Sequence, residues 1–119
     1  MQNLEQFYKS VGANADEIIA RLGGNASLVE RFLGKFPSDK SFQELQTALE
    51  NDETETAFRA AHTMKGICAN LGLQTLFDKS SAITELLRGS DLESAKKDFP
   101  TLEEEYNRTL EELKKLGIS

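Results

Sequence analysis

Residues 91–113 read DLESAKKDFPTLEEEYNRTLEEL, and their apolar members, Leu92, Ala95, Phe99, Leu102, Tyr106, Leu110 and Leu113, recur at steps of three and four. That is the period of an α-helix with one buried stripe, held for about six turns. A stripe this long needs a facing apolar surface along its whole length. Asp91 stands where an N-cap is wanted, and Pro100 predicts a kink.

The same period runs back through the chain. Leu73, Leu76, Phe77, Ile83 and Leu87 describe a helix ending near Arg88-Gly89. Before it, Asp52 and Glu55 have the spacing of a capping box that opens a helix running to about Gly72. Asn25 can cap a helix carrying Leu28, Val29, Phe32, Leu33 and Phe36, and Pro37 ends or kinks it before Phe42, Leu45 and Leu49 resume the pattern. Leu4, Phe7, Tyr8 and Val11 form a short first helix ending near Gly12, and Ile18, Ile19 and Leu22 a second that stops at Gly23-Gly24. No strand alternation competes and no internal repeat is present. Amphipathic helices joined by short turns bury their stripes best against one another. The expected fold is therefore all-α, an antiparallel four-helix bundle over residues 25–116 with short additional N-terminal helices over residues 1–24, all in one domain of 119 residues.

Composition narrows the function. A net charge of −6 and a pI near 4.8 argue against a nucleic-acid binder, which needs clustered Lys and Arg. The opening MQNLEQFYKSVG has neither a basic nor an apolar leader region, and no stretch approaches the roughly 18 apolar residues of a membrane span. A cytoplasmic protein with no membrane contact is expected. Cys68 is the single cysteine, so it offers no intrachain disulfide and too few thiolates for a metal; core packing is its expected role.

His62 is the single histidine. At about 100° per residue, Ala57, Ala60, Ala61, Met64, Ile67, Cys68 and Leu71 fall on an arc opposite it, while Glu55, Phe58, Arg59, Lys65, Gly66 and Ala69 fall within about 60° of it. The imidazole is thereby placed on a solvent face. Helical side chains lean toward the N-terminus, so the residue at i+4 would cover the histidine, and that residue is Gly66. A glycine costs a helix about 1 kcal/mol relative to alanine, and here it leaves the ring open to a second molecule. Lys65 brings a positive charge beside any anion carried on the ring. An exposed, partly uncharged imidazole is a good nucleophile near neutral pH. These features suit a phosphoryl acceptor and donor better than a general base, which needs a substrate pocket. A bundle metal site would want Glu-x-x-His or a second histidine, whereas the residue three before His62 is Arg59.

The stretch AAHTMKGICANLGL, residues 60–73, resembles the motif of histidine-containing phosphotransfer (HPt) domains: a small residue, His, any residue, Leu or Met, Lys-Gly, small residues, then Leu-Gly. Ala61, His62, Met64, Lys65, Gly66, Cys68, Ala69, Leu71 and Gly72 occupy those places, and the helix pattern agrees over roughly residues 14–115. The resemblance implies a four-helix bundle that shuttles a phosphoryl group. By the same resemblance His62 is phosphorylated on its exposed ring nitrogen, Lys65 balances the phosphate, and Gly66 admits a partner's receiver domain. It further implies a phosphoryl carrier rather than a complete enzyme, with no cofactor of its own, and with Mg²⁺ and an acidic pocket supplied by the receiver.

The chain departs from that pattern at one place. Many family members put Gln or Glu on the next helix to hydrogen-bond the imidazole, and motif spacing brings Thr84 to that position. Phe77, Ser81, Thr84 and Arg88 share one flank of that helix, which makes Ser81 and Thr84 candidates to orient the ring and Arg88 a candidate to assist with phosphate. Phe58, Arg59 and Ala69 are expected to face the partner, Phe58 as an aromatic anchor. The expected partners are response-regulator receiver domains and a sensor histidine kinase on separate polypeptides, met by a monomer. The competing expectation is a helical docking or adaptor module that binds the same partners without phosphotransfer.

Overall fold

In the computed structural model, which describes residues 3–118, seven α-helices follow one another: α1 (Leu4–Ser10), α2 (Ala15–Arg21), α3 (Ala26–Leu33), α4 (Ser41–Glu50), α5 (Thr54–Leu71), α6 (Gln74–Arg88) and α7 (Leu92–Lys115). Residues 1, 2 and 119 of the expected domain lie outside the described residues. Several starts are set by short polar side chains. Asn3, Asn14, Asn25 and Asp91 each accept a backbone N–H from the first turn of α1, α2, α3 and α7, satisfying donors that a helix leaves orphaned. Asn3 and Gln6 form a reciprocal capping box.

The capping box expected at Asp52 and Glu55 is not formed. Glu53 is the N-cap of α5 and makes no side-chain cap bond, while Asp52 adopts the left-handed conformation, with φ of 56°, just past the end of α4. There the N–H of Glu53 reaches back to the Ala48 carbonyl at 2.8 Å, so the segment closes α4 instead of opening α5. The Asp52 carboxylate pairs with Lys96 of α7.

Pro37 separates two helices: α3 stops at Leu33, a 3₁₀ turn spans Phe36–Ser38, and α4 begins at Ser41. α7, by contrast, runs without a break through Pro100. Pro100 is exposed, on the solvent side of the helix, where its ring displaces no core side chain.

α5 packs on α4 and α6, α6 also packs on α7, and α7 returns to α4. Cross-helix contacts fix the directions. Phe42 of α4 stacks on Tyr106 of α7 with ring centroids 4.0 Å apart, while Asp52, just past the end of α4, meets Lys96 near the start of α7. Arg88 at the end of α6 lies over Phe58 near the start of α5. In both pairs the helices run opposite ways. Between them lie Leu45, Met64, Leu76, Ile83, Leu102 and Leu113, all at most 2% exposed.

α1 and α2 seat on one end of this assembly. The Tyr8 hydroxyl donates to the Leu71 carbonyl at 2.7 Å, closing the C-terminus of α5, and the Arg108 guanidinium of α7 donates to the Ser10 carbonyl at 2.7 Å. Gly72, the C-cap of α5, has φ of 74°, and a Cβ there would run into Ile18 and stand 3.2 Å from Tyr8. The end of α5 is thus fixed by the first two helices. No described helix is long and apolar enough to cross a membrane.

Candidate functional site

α5 buries Ala57, Ala60, Ala61, Met64, Cys68 and Leu71 and turns His62 to the solvent on the other side. Small residues on its inner face let α4 and α6 lie close, which leaves the outer face standing proud of its neighbours. Glu55, Arg59, Gly66 and Ala69 are exposed around His62, and Phe58 and Lys65 are half-buried. Ile67, read as part of the core arc, lies at its edge and is half-buried.

The geometry immediately around the imidazole is simple. The Phe58 ring, one turn earlier, stacks on it with centroids 5.9 Å apart and planes 14° from parallel. The guanidinium of Arg88 lies over Phe58, 5.0 Å from the ring centroid, and its Nε donates to Glu85 at 3.1 Å. Among the described residues Lys65 has no ion-pair partner, so its charge is available, whereas Arg59 pairs loosely with Glu55 at 3.8 Å. An added Cβ at Gly66 would meet no heavy atom within 4 Å.

Of the three accessory candidates, Thr84 is not where the spacing put it. It is fully buried, and its hydroxyl donates to the Ser80 carbonyl at 2.7 Å on its own helix. Its donor is spent one turn back on its own helix, and burial of the side chain keeps its oxygen away from the exposed imidazole. Ser81 is half-buried on the flank and Arg88 is exposed, engaged with Phe58 and Glu85 rather than with the histidine. No hydrogen bond joins the His62 side chain to another described residue.

Cys68 faces inward. Burial pushes its thiol up to about 12, with a hydrogen bond to Ser80 pulling it partly back and Asp39 adding to the rise. A thiol so placed stays neutral and is no nucleophile. Among the described residues no group of three or more His, Cys, Asp or Glu side chains is disposed to hold a metal ion.

Two participants were missed by sequence reading. Glu85 anchors Arg88, and its i,i+3 spacing was a usable signal. Arg21 of α2 donates to the carbonyls of Ala69 and Asn70, at 2.8 and 3.3 Å, at the exposed end of α5. Nothing in the sequence announces that contact, because it depends on how α2 folds back. Beside it an apolar groove of about 390 Å³, walled by Leu22, Phe32, Phe36, Ile67 and Leu71, opens one residue past Gly66. His62 is not part of that groove.

An exposed imidazole outside the neighbouring groove, with a cation one turn on that no described carboxylate pairs, is placed to react with a group brought to it by another molecule. The family model for the Hpt domain matches residues 27–114. No curated protein and no solved structure gives a significant match. Hpt domains are phosphocarrier modules of two-component signalling that interact with receiver domains and kinases. The matched span runs from the first turn of α3 to the last turn of α7 and takes in the whole outward face of α5; this chain belongs to the Hpt domain family.

Proposed function

We propose that this protein relays a phosphoryl group through His62, taking it from a sensor kinase or from the phosphoaspartate of one receiver domain and passing it to the aspartate of another. In this reading α4 to α7 are an antiparallel four-helix bundle, residues 25–116 form the phosphotransfer unit, and residues 1–24 form its cap. The protein works as a cytoplasmic monomer.

The observation that carries the reading is the open space at Gly66, one turn from an exposed His62. Nothing inside the protein uses that space. It has the place and direction from which a partner would approach the ring.

The chemistry balances without a cofactor on this chain. The lone pair of the uncharged ring nitrogen attacks phosphorus, the P–O bond of the aspartyl phosphate breaks, and the aspartate leaves as a carboxylate with the bonding pair. The phosphorylated ring keeps its other N–H and a positive charge until that proton passes to water. In the return step the other ring nitrogen takes a proton back from water, a receiver carboxylate oxygen attacks phosphorus, and the P–N pair returns to the ring, which leaves as neutral imidazole. Phosphoryl transfer is mostly positioning and charge neutralisation. Lys65 supplies one cation, and the receiver supplies Mg²⁺ and the acidic pocket. The chain is a carrier and lacks catalytic machinery of its own.

Docking without transfer is the second reading, favoured by Thr84, which leaves the imidazole without the hydrogen-bonding partner many relatives have. One experiment separates them. Incubation with a phosphorylated cognate receiver is expected to label the protein in an acid-labile, base-stable form, and His62→Gln to abolish the label. Complex formation without label, or label persisting in that variant, would overturn the relay.

A further inference from the structure

We propose that Phe58 is the positioning residue of the imidazole, fixing the plane of the His62 ring by stacking, and that Arg88 acts through Phe58 to hold that platform in place; the inference rests on the phosphorelay reading. The bond between Cβ and the ring of a histidine rotates in a broad well, so an imidazole needs an outside group to choose its plane. In catalytic arrangements that group is commonly a hydrogen-bonding third residue. Here no described residue hydrogen-bonds the His62 imidazole, and Thr84 is buried with its hydroxyl donating to its own helix. The contact that does exist is planar: Phe58 and His62 lie 14° from parallel at 5.9 Å, within the range of offset-stacked rings.

A platform is useful only if it is itself held. Phe58 is half-buried and packs against the core, which limits its own rotation. The Arg88 guanidinium over its ring adds a cation–π contact at 5.0 Å, and Glu85 fixes Arg88 at 3.1 Å. The chain of contacts Glu85–Arg88–Phe58–His62 therefore couples α6 to the reactive ring across an aromatic face. Phe58, expected to face the partner, and Arg88, expected to face the phosphate, both take a different part here.

The test uses phosphoramidate, a small donor that needs no docking surface: its P–N bond breaks as the bond from phosphorus to the ring nitrogen forms, and ammonia leaves. Because His62 is the single histidine, its ring protons are uniquely observable by NMR. In Phe58→Leu those signals are expected to lose the ring-current displacement and move toward free-histidine positions. The rate of phosphorylation at saturating donor is expected to fall about three- to tenfold, with half-saturation unchanged. Phe58→Tyr keeps the ring and should restore both, and Arg88→Gln should move both in the same direction as Phe58→Leu by a smaller amount. Far-UV circular dichroism and melting of each variant report on folding. Unchanged ring signals and rate in Phe58→Leu would overturn the proposal. So would a loss seen only as a raised KM for a receiver, which would make Phe58 a docking contact. Should receivers fail to label the wild type while the ring signals and phosphoramidate rate respond as expected, the relay reading fails and the positioning role stands.

Discussion

Gly66 follows His62 by four residues on the outward face of α5, and a Cβ added to it would meet nothing within 4 Å beyond its own stretch of helix. Its φ is not in the positive region, so neither backbone conformation nor packing calls for glycine. Gly66→Ala is expected to stabilise the helix by up to about 1 kcal/mol, raising the melting temperature by roughly 3–6 °C. Gly66→Gln should keep or improve helicity and yet slow transfer from a receiver, because a side chain at that position leans back over the imidazole. Thermal melts and timed transfer assays check the two halves separately. Unchanged transfer in Gly66→Gln would leave the glycine with no role in access.

Gly72 makes the opposite prediction on the same helix. Its φ of 74° disfavours any L side chain, and its added Cβ would collide with Ile18. Gly72→Ala should cost about 2 kcal/mol or more, combining a strained backbone with overpacking. The loss should appear first as faster amide exchange in α1 and α2, whose seat on α5 it disturbs. Equal stability and exchange in this variant would show that the two helices are not fixed through Gly72.

How much of this was legible depends on which interaction carried each feature. The stripe of α7, the outward placement of His62 and the inward placement of Cys68 follow from one helix taken alone, so period sufficed. Asp52 was misassigned because acidic residues suit both an N-cap and, with φ of 56°, the left-handed stop of the preceding helix; the pairing with Lys96 on a distant helix accompanied the second. Thr84 was misassigned for a related reason. Its distance in sequence from His62 was right for a facing residue, but a hydroxyl that can bond its own helix does not have to reach across. The stacking of Phe58 on His62 at i−4 was within reach of helical geometry. The Arg88 cap on Phe58 and the Arg21 contacts to α5 were not, because they require the register between helices.

Glu105 ties three helices together and should govern acid stability. Its carboxylate accepts from Arg108 Nε at 3.0 Å and Nη2 at 2.7 Å and from the Thr75 hydroxyl of α6, while the same guanidinium binds the Ser10 carbonyl of α1. Burial pushes the carboxyl up, but the bonds from Arg108 and Thr75 and the attraction of Arg108 prevail and hold it below its ordinary value of 4.5. A carboxylate lowered on folding stabilises the native state above the unfolded value and loses that contribution as pH falls through the folded one. Glu105→Gln should therefore cost about 1–2 kcal/mol near neutral pH and much less at low pH. Melting temperature against pH checks it: parallel wild-type and mutant curves down to pH about 3 would contradict the linkage.

On the alkaline side Cys68 and Tyr8 carry the largest shifts, with Tyr106 also raised by burial. Burial raises the Cys68 thiol from 9.0 to about 12, against a partial opposing effect of its hydrogen bond to Ser80, and with a further rise from Asp39. Burial also raises the Tyr8 hydroxyl above 10.0, against a small opposing effect of Arg21. Both groups are neutral when folded and ionise more readily when unfolded. Their contribution is thus complete below about pH 9 and is lost as pH climbs toward 12. Folded Tyr8 keeps its proton over this range, so its bond to the Leu71 carbonyl should hold until the protein opens. Cys68→Ala should delay the alkaline decline while lowering stability near neutrality by about 1 kcal/mol for the vacated volume. A thiol reagent at about pH 8 should label native Cys68 only as fast as the protein opens, and label it at once in urea. Rapid native labelling would mean that the thiol is accessible and that the inward face of α5 is not closed.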